Sequence, residues 1–296
     1  MTSILSYPER GNYGKSNWRG NTSGYVIRDI MDHFKPTLFV DACEGSGTSG
    51  DVAREMGVEY VGLDLYKGQD FTRDSILAEL PREADVVFSH PPYGGLIVYS
   101  GEVWGDKAHP GDTSRCDTPE EFLAKSQVML LNQREATRPG GYYMSLIGDQ
   151  RGGDLGRGNF RSYQADFISM MDKKELLSVV IKEQHNARSS HKQYNGSFVP
   201  IMHEYLLIWK KSRNSLFQVA FNIASEHQAM VATTWRSVIR VVMMNLKEAP
   251  LNVIYDEVEK VASALVRNNK NYKAKIRQQL QRHHVNVERG VWAVAA

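Results

Sequence analysis

The chain has little that would staple it together or anchor it. Of its 296 residues only two are cysteine, Cys43 and Cys116. That excludes a disulfide scaffold and a four-cysteine zinc site. No apolar run approaches the roughly 18 residues that a membrane-spanning helix needs. The opening stretch from Met1 to Arg10 has no basic start followed by apolar residues, so no secretion signal is expected. The expected compartment is the reducing cytoplasm, with no membrane partner. His109, Cys116, His185, His191 and His203 are scattered without metal-ligand spacing, and no metal is expected. Neither a Ser-His-Asp order at hydrolase-like spacing nor an internal repeat is visible.

What is there is an ordinary globular composition, 42% hydrophobic and 24% charged. It can bury a core, which excludes disorder as the dominant state. At roughly 150 residues per domain the length suggests about two domains. The net charge of +2 hides an asymmetry. Residues 233–296 hold 11 Lys and Arg against 5 Asp and Glu, leaving 25 against 29 elsewhere. A basic tail on a mildly acidic body suggests a polyanion partner for the tail.

Through the first two-thirds, strands alternate with helices. Apolar, β-branched runs predict strands over 37–41, 59–64, 84–89, 142–147, 176–182 and 204–209. A helix is expected over 49–56, closed by Gly57. Another starts at Thr118-Pro119-Glu120-Glu121, with a threonine cap, a proline in the first turn and a closing glutamate. This alternation implies an α/β fold, a doubly wound, mainly parallel sheet. The polar stretch 183–203 reads as an excursion between paired strands, and 212–232 as a connector.

The tail has its own logic. Trp235, Val238, Ile239, Val242, Met243 and Leu246 fall at helical spacing. A second helix opens at Pro250, with Ile254, Val258, Val261 and Leu265 inward. Asn271 caps a third, 272–282, with Tyr272, Ile276 and Leu280 inward and Lys273, Lys275, Arg277, Gln278, Gln279 and Arg282 outward. Residues 285–287 and 291–294 flank Glu288-Arg289-Gly290 as a hairpin. Three helices and a hairpin with a basic third helix fit a winged helix-turn-helix. The expected division is 1–211, a connector over 212–232, and 233–296 as the DNA-binding module.

Two segments carry chemistry. Asp41-Ala42-Cys43-Glu44-Gly45-Ser46-Gly47-Thr48 ends a strand and opens a helix. Its glycines let backbone pass close to a ligand, and the free amides at the helix start favour an anionic group. Asp64, at the end of the next strand, can accept two ribose hydroxyls, the geometry of a nucleoside cofactor. The turn is neither the three-glycine dinucleotide fingerprint nor a phosphate loop, which argues against NAD and ATP. Ser89-His90-Pro91-Pro92-Tyr93 follows a buried strand. Its prolines fix a rigid shelf, and Tyr93 presents a flat ring.

Gly45-Ser46-Gly47-Thr48 followed by His90-Pro91-Pro92-Tyr93 resembles the amino-group DNA methyltransferases, which make N6-methyladenine or N4-methylcytosine. The likeness continues in Arg138 to Tyr143 with Gly148-Asp149, and in Phe198-Val199-Pro200 with His203-Glu204-Tyr205. It covers about residues 15–211. The segment from Asn17 to Gly24 resembles the motif that helps to hold the cofactor's methionine end. The tail resembles winged-helix modules appended to DNA-modifying enzymes.

The resemblance implies a Rossmann-like methyltransferase fold and S-adenosyl-L-methionine as cofactor. Asp41, Gly45 and Gly47 would line the methionine end, with Glu44, Ser46, Thr48, Asn21 and Ser23 beside them. Asp64 would hold the ribose and Asp70 the cofactor adenine. His90, Pro91, Pro92 and Tyr93 would take the flipped target base from double-stranded DNA. The reaction implied is methylation of adenine N6; the alternatives are cytosine N4 methylation and a non-catalytic DNA-binding regulator that keeps the cofactor pocket. A homodimer is in keeping with the family. One departure is His90, where the family has Asp, Asn or Ser. Three roles stay open: His90 as acceptor, Ser89 as acceptor, or His90 as an orienting residue. An accepting His90 predicts activity that falls as pH drops through about 6.5. Arg151, Arg157 and Arg161 either contact phosphates or are solvated, and Arg188 and Lys192 lie where DNA recognition would fit.

Overall fold

The computed structural model describes residues 1–152, 159–185 and 199–294. The chain divides into two units, Met1–Ile223 and Ala224–Ala296.

The first unit is built on seven strands: β1 Ile4–Leu5, β2 Leu38–Asp41, β3 Glu59–Gly62, β4 Ala84–Ser89, β5 Thr137–Ile147, and, after a small ribbon of β6 Gln150–Arg151 and β7 Phe160–Arg161, β8 Leu176–Glu183 and β9 His203–Lys210. The sheet order is β1-β8-β9-β5-β4-β2-β3. Only β9 runs against the rest, antiparallel to both β5 and β8. This is the doubly wound, mainly parallel α/β fold that the alternation implies.

Side chains alternate along each strand, so each face acquires its own core. Phe39, Val86, Phe88 and Met144 pack under α1 Gly24–Phe34 and α2 Thr48–Met56. On the opposite face Tyr143, Ile147, Leu207 and Trp209 pack under α3 Pro119–Ala136 and α4 Tyr163–Met170. The helix ends follow local chemistry. The Thr118 hydroxyl accepts from the Glu121 N–H, and Gly57 closes α2 at φ 68°. Fully buried Arg134 of α3 makes a bidentate pair with Glu175 at 2.8 and 2.7 Å.

The chain passes from β2 to β3 on one side and then crosses to β4 on the other. This reversal leaves a crevice beyond the carboxyl ends of β2 and β4, where open α/β sheets bind ligands.

The expected connector at 212–232 is helical from Leu216. α5 Leu216–Leu246 is one helix of 31 residues, and the division between the units falls within it. Its polar positions had masked a continuous helical run. In the second unit Trp235, Ile239, Val242 and Met243 of α5 pack with Ile254 and Val258 of α6 Leu251–Val261. After α7 Ser263–Arg267 comes α8 Tyr272–His283, which contributes Ile276 and Leu280. A three-stranded sheet of β10 Glu248–Pro250, β12 Val291–Val294 and β11 His284–Glu288 completes the unit. Three readings of this unit change. Val261, expected inward, is exposed because α6 ends there. Gln279, expected outward, is buried beside Leu280. Asn271 precedes α8 without a side-chain cap.

Candidate active site of two adjoining clefts

Two clefts open at the carboxyl ends of the parallel strands. The first has a volume of about 820 Å³ and the second about 740 Å³. Gly20, Asn21, His90, Pro92 and Tyr99 line both.

The first cleft is shaped by the turn between β2 and α2. Gly45 and Gly47 hold φ of 53° and 88°, the left-handed region that favours glycine. A Cβ on Gly45 would stand 3.0 Å from the Trp18 indole nitrogen. Asp41 ties the turn: its carboxylate accepts from the Cys43 N–H at 2.9 Å and the Ser49 hydroxyl at 2.5 Å. Burial pushes the Asp41 carboxyl up to about 7. Asp64, following β3, accepts from the Gly45 N–H at 2.9 Å and the Tyr66 N–H at 3.1 Å. Burial raises its pKa as well. A carboxylate has about four lone-pair sites, so these two bonds leave room for hydroxyl donors.

Three polar atoms buried in this lining have no protein partner: Thr22 Oγ1, Gln69 Oε1 and Asp70 Oδ2. Gln69 Oε1 and Asp70 Oδ2 are pure acceptors. Buried groups of this kind carry a desolvation cost of about 1–3 kcal/mol each unless a ligand bonds them. Gly111 packs on Asp70, where a Cβ would come within 2.2 Å of Oδ2. The lining therefore suits a ligand with amino or hydroxyl donors at several points.

The second cleft is different. The Tyr93 hydroxyl lies 2.6 Å from His90 Nε2 and donates to Glu204 Oε1 at 2.6 Å. Lys182 Nζ donates to Glu204 Oε2 at 2.7 Å. Lys182 and Glu204 are direct cross-strand partners on β8 and β9. Burial alone would raise the Glu204 carboxyl; the Lys182 charge, His90 and hydrogen bonds outweigh it and hold the group at about 2. Burial lowers His90 to about 4, with Glu204 pulling up and Lys182 pulling down. Burial and then Glu204 push the Tyr93 phenol far above its ordinary value. Gly148 lets the Tyr93 ring lie close, since a Cβ there would come within 2.6 Å of it.

Most of the residues singled out in the sequence meet here. Asn21, Asp41, Glu44, Gly45, Thr48, Asp64, Asp70, His90 and Pro92 line the first cleft. Pro91 and Tyr93 line the second, beside His90 and Pro92. Several have structural work. Glu44 pairs with Lys67 and accepts from the Tyr60 hydroxyl. Ser46 exchanges hydrogen bonds with the Asn21 amide, and Gly47 precedes α2 as its cap residue. Ser23 lies outside both linings and caps α1 by accepting from the Tyr25 N–H. Ser89 is fully buried, its hydroxyl turned to Ser145 and the Met144 carbonyl. The imidazole itself is moved from its ordinary 6.5 to about 4, because burial disfavours the imidazolium.

Of the basic residues, Arg161 pairs with Asp166 at 2.8 Å and Arg151 stacks on the Phe160 ring. Lys273, Arg277 and Arg282 are exposed on α8, Lys275 and Gln278 partly so. Lys273 also sits over the rings of Tyr255 and Tyr272. Arg157, Arg188 and Lys192 lie outside the described residues. Among the described residues no cluster of three or more metal-ligating side chains occurs, and no helix is long and apolar enough to cross a membrane. Sequence reasoning gave no site role to Lys182, Gln69 or Thr22, and quoted Glu204 only as part of a family-like motif. The available signal was one glutamate inside the otherwise apolar strand 204–209.

No family model matches the chain, and no curated protein matches it. Solved structures do. TTHA0409 from Thermus thermophilus, a candidate DNA modification methylase complexed with S-adenosyl-L-methionine, is 21% identical, with 49% of this chain and 54% of that chain covered and a TM-score of 0.33. TrmN from Thermus thermophilus is 12% identical over 66% of this chain and 51% of that chain, with a TM-score of 0.34. The 1,6-didemethyltoxoflavin-N1-methyltransferase of Burkholderia thailandensis is 12% identical over 67% and 80%, with a TM-score of 0.36. The chain thus spans about half the length of TTHA0409.

Proposed function

We propose that the chain is an S-adenosyl-L-methionine-dependent methyltransferase acting on the exocyclic amino group of a nucleobase, adenine N6 in double-stranded DNA. The observation that carries the reading is the junction of the clefts. A cleft lined by the Gly45 turn, Asp64 and unpartnered acceptors meets an aromatic cleft at His90 and Pro92.

The residues fit the cofactor. Asp64 would accept the ribose hydroxyls, and Asp70 Oδ2 an amino hydrogen of the cofactor adenine. Asp41, Asn21 and the Gly45 turn would surround the methionine end. When bound, the cofactor supplies an electrophilic methyl on a positively charged sulfur. An amino nitrogen on an aromatic base is a poor nucleophile, because its lone pair is delocalised into the ring. His90, neutral at physiological pH through burial, and the Pro91 carbonyl would each accept one amino hydrogen. That localises the lone pair and orients it. Tyr93 would hold the base by its ring, with its hydroxyl pinned to Glu204. Positioning and fixed acceptors supply the acceleration. The base must first leave the duplex stack, at about a few kcal/mol.

The second unit would act as a winged-helix module presenting the basic face of α8 to DNA, the role its charge and its four helices with a small sheet support. Calorimetric titration with S-adenosyl-L-methionine tests the first step. One site per chain is expected, lost in Asp64→Ala. Absence of binding to the intact chain would overturn the reading.

A further inference from the structure

The sequence left the role of His90 open, and proton accounting around Tyr93 closes it. The Tyr93 hydroxyl has one proton and two close neighbours, His90 Nε2 and Glu204 Oε1, each at 2.6 Å. Lys182 bonds the other Glu204 oxygen at 2.7 Å, and both side chains are largely buried. An ammonium at that distance keeps the carboxylate ionised, and an ionised carboxylate only accepts. The Tyr93 proton therefore belongs to Glu204. The Tyr93 oxygen then offers His90 only lone pairs, and a contact at 2.6 Å is attractive only if Nε2 carries hydrogen. A neutral imidazole has one N–H, so Nδ1 is bare. No group among the described residues bonds Nδ1; the one hydrogen bond of the ring is through Nε2. His90 lines both clefts.

We infer that Lys182 and Glu204 are positioning residues, which act through the Tyr93 hydroxyl to lock His90 as the Nε2–H tautomer with Nδ1 as an acceptor for a substrate amino group. The consequence for substrate choice rests on the proposed methyl transfer; the tautomer itself does not. An acceptor at Nδ1 welcomes an N–H and opposes a ring carbonyl. The cleft therefore selects amino-bearing bases over oxo bases such as hypoxanthine. Lys182 is the deciding charge. Without it, buried Glu204 gains a proton and donates to Tyr93. Tyr93 then donates to Nε2, and Nδ1 becomes an N–H that repels an amine.

The test is nitrogen NMR of the full chain with ¹⁵N-labelled histidine near neutral pH, the His90 signals being identified by their loss in His90→Gln. The expected result is a pyrrole-type Nε2 and a pyridine-type Nδ1, reversed in Lys182→Met. The opposite tautomer in the intact chain would overturn the inference. So would an unchanged tautomer in a Lys182→Met protein whose amide spectrum is otherwise native. If Lys182→Met does not fold, Tyr93→Phe replaces it: the bias should relax to a mixture, and an unaltered Nε2–H tautomer would contradict the relay. Cofactor binding in the same samples separates this outcome from failure of the proposed function. A chain with the expected tautomer but no cofactor affinity keeps the relay and loses the methyltransferase.

Discussion

The two clefts share a wall yet treat their polar atoms in opposite ways. In the first, Thr22 Oγ1, Gln69 Oε1 and Asp70 Oδ2 are buried without partners. In the second, Lys182, Glu204, Tyr93 and His90 satisfy one another in a continuous chain. The first is an incomplete network that a ligand's donors would finish. The second is complete before anything arrives, and leaves one ring nitrogen to meet a substrate. Unpaired buried acceptors cost stability, whereas a satisfied network stiffens its members. On the proposed reading, binding falls to one set of residues and positioning to the other, so variants should damage one and spare the other.

The largest separation should come from Asp64→Ala. It removes the carboxylate that would accept the ribose hydroxyls, charge-assisted bonds being worth about 1.5–3 kcal/mol each, and loosens the turn by taking away the acceptor of the Gly45 and Tyr66 N–H groups. Calorimetry should show cofactor affinity down by roughly 100-fold or more, with the His90 tautomer unchanged by NMR. Tyr93→Ala should do the reverse. Tyr93 does not line the first cleft, so cofactor affinity should hold while turnover in a labelled-methyl assay falls roughly 10- to 100-fold, the worth of one stacked base. Loss of both together would merge the two clefts into one unit. Next comes Asp70→Asn, which sets an amide where Oδ2 stands as a lone acceptor. About a tenfold loss of cofactor affinity is expected.

pH should separate the two clefts as well. His90 is lowered to about 4, so it stays an acceptor down to that pH, and the acidic limb of turnover should lie near 4 rather than 6.5. Between those values the unfolded chain binds the extra proton, so stability declines as pH falls through this window. Glu204 adds to the decline below its ordinary 4.5, towards about 2. Asp41 is raised to about 7, so it gains a proton as pH falls through 7. A positively charged cofactor favours its ionised form, and calorimetry should show affinity rising with pH across that value by less than about tenfold.

Most of the architecture was legible because it follows from local rules. Apolar runs marked β2 to β5, Thr118 and Pro119 marked the start of α3, and glycines marked the turn before α2. The first cleft was legible for the same reason, since Asp41, Gly45 and Asp64 stand at strand ends or in the adjoining turn. The second cleft was half legible. His90 to Tyr93 announce themselves by their prolines, but Glu204 lies 111 positions beyond Tyr93 and reaches it only because β9 pairs with β5, the neighbour of β4. No local pattern reveals that a strand lysine and a strand glutamate will face one another across a sheet. β1, only two residues long, carries no period at all. The helix over the expected connector was hidden because polar residues interrupt the apolar spacing along 216–232.

The central claim is that these clefts bring a methyl donor and a nucleobase amine together. Incubating the intact chain with duplex DNA and deuterium-labelled S-adenosyl-L-methionine, then digesting the DNA to nucleosides for mass spectrometry, tests it most directly. Deuterated N6-methyladenine is the expected product. Unmodified adenine under conditions where the cofactor is bound would contradict it, and label on cytosine N4 would keep the chemistry while moving the target base.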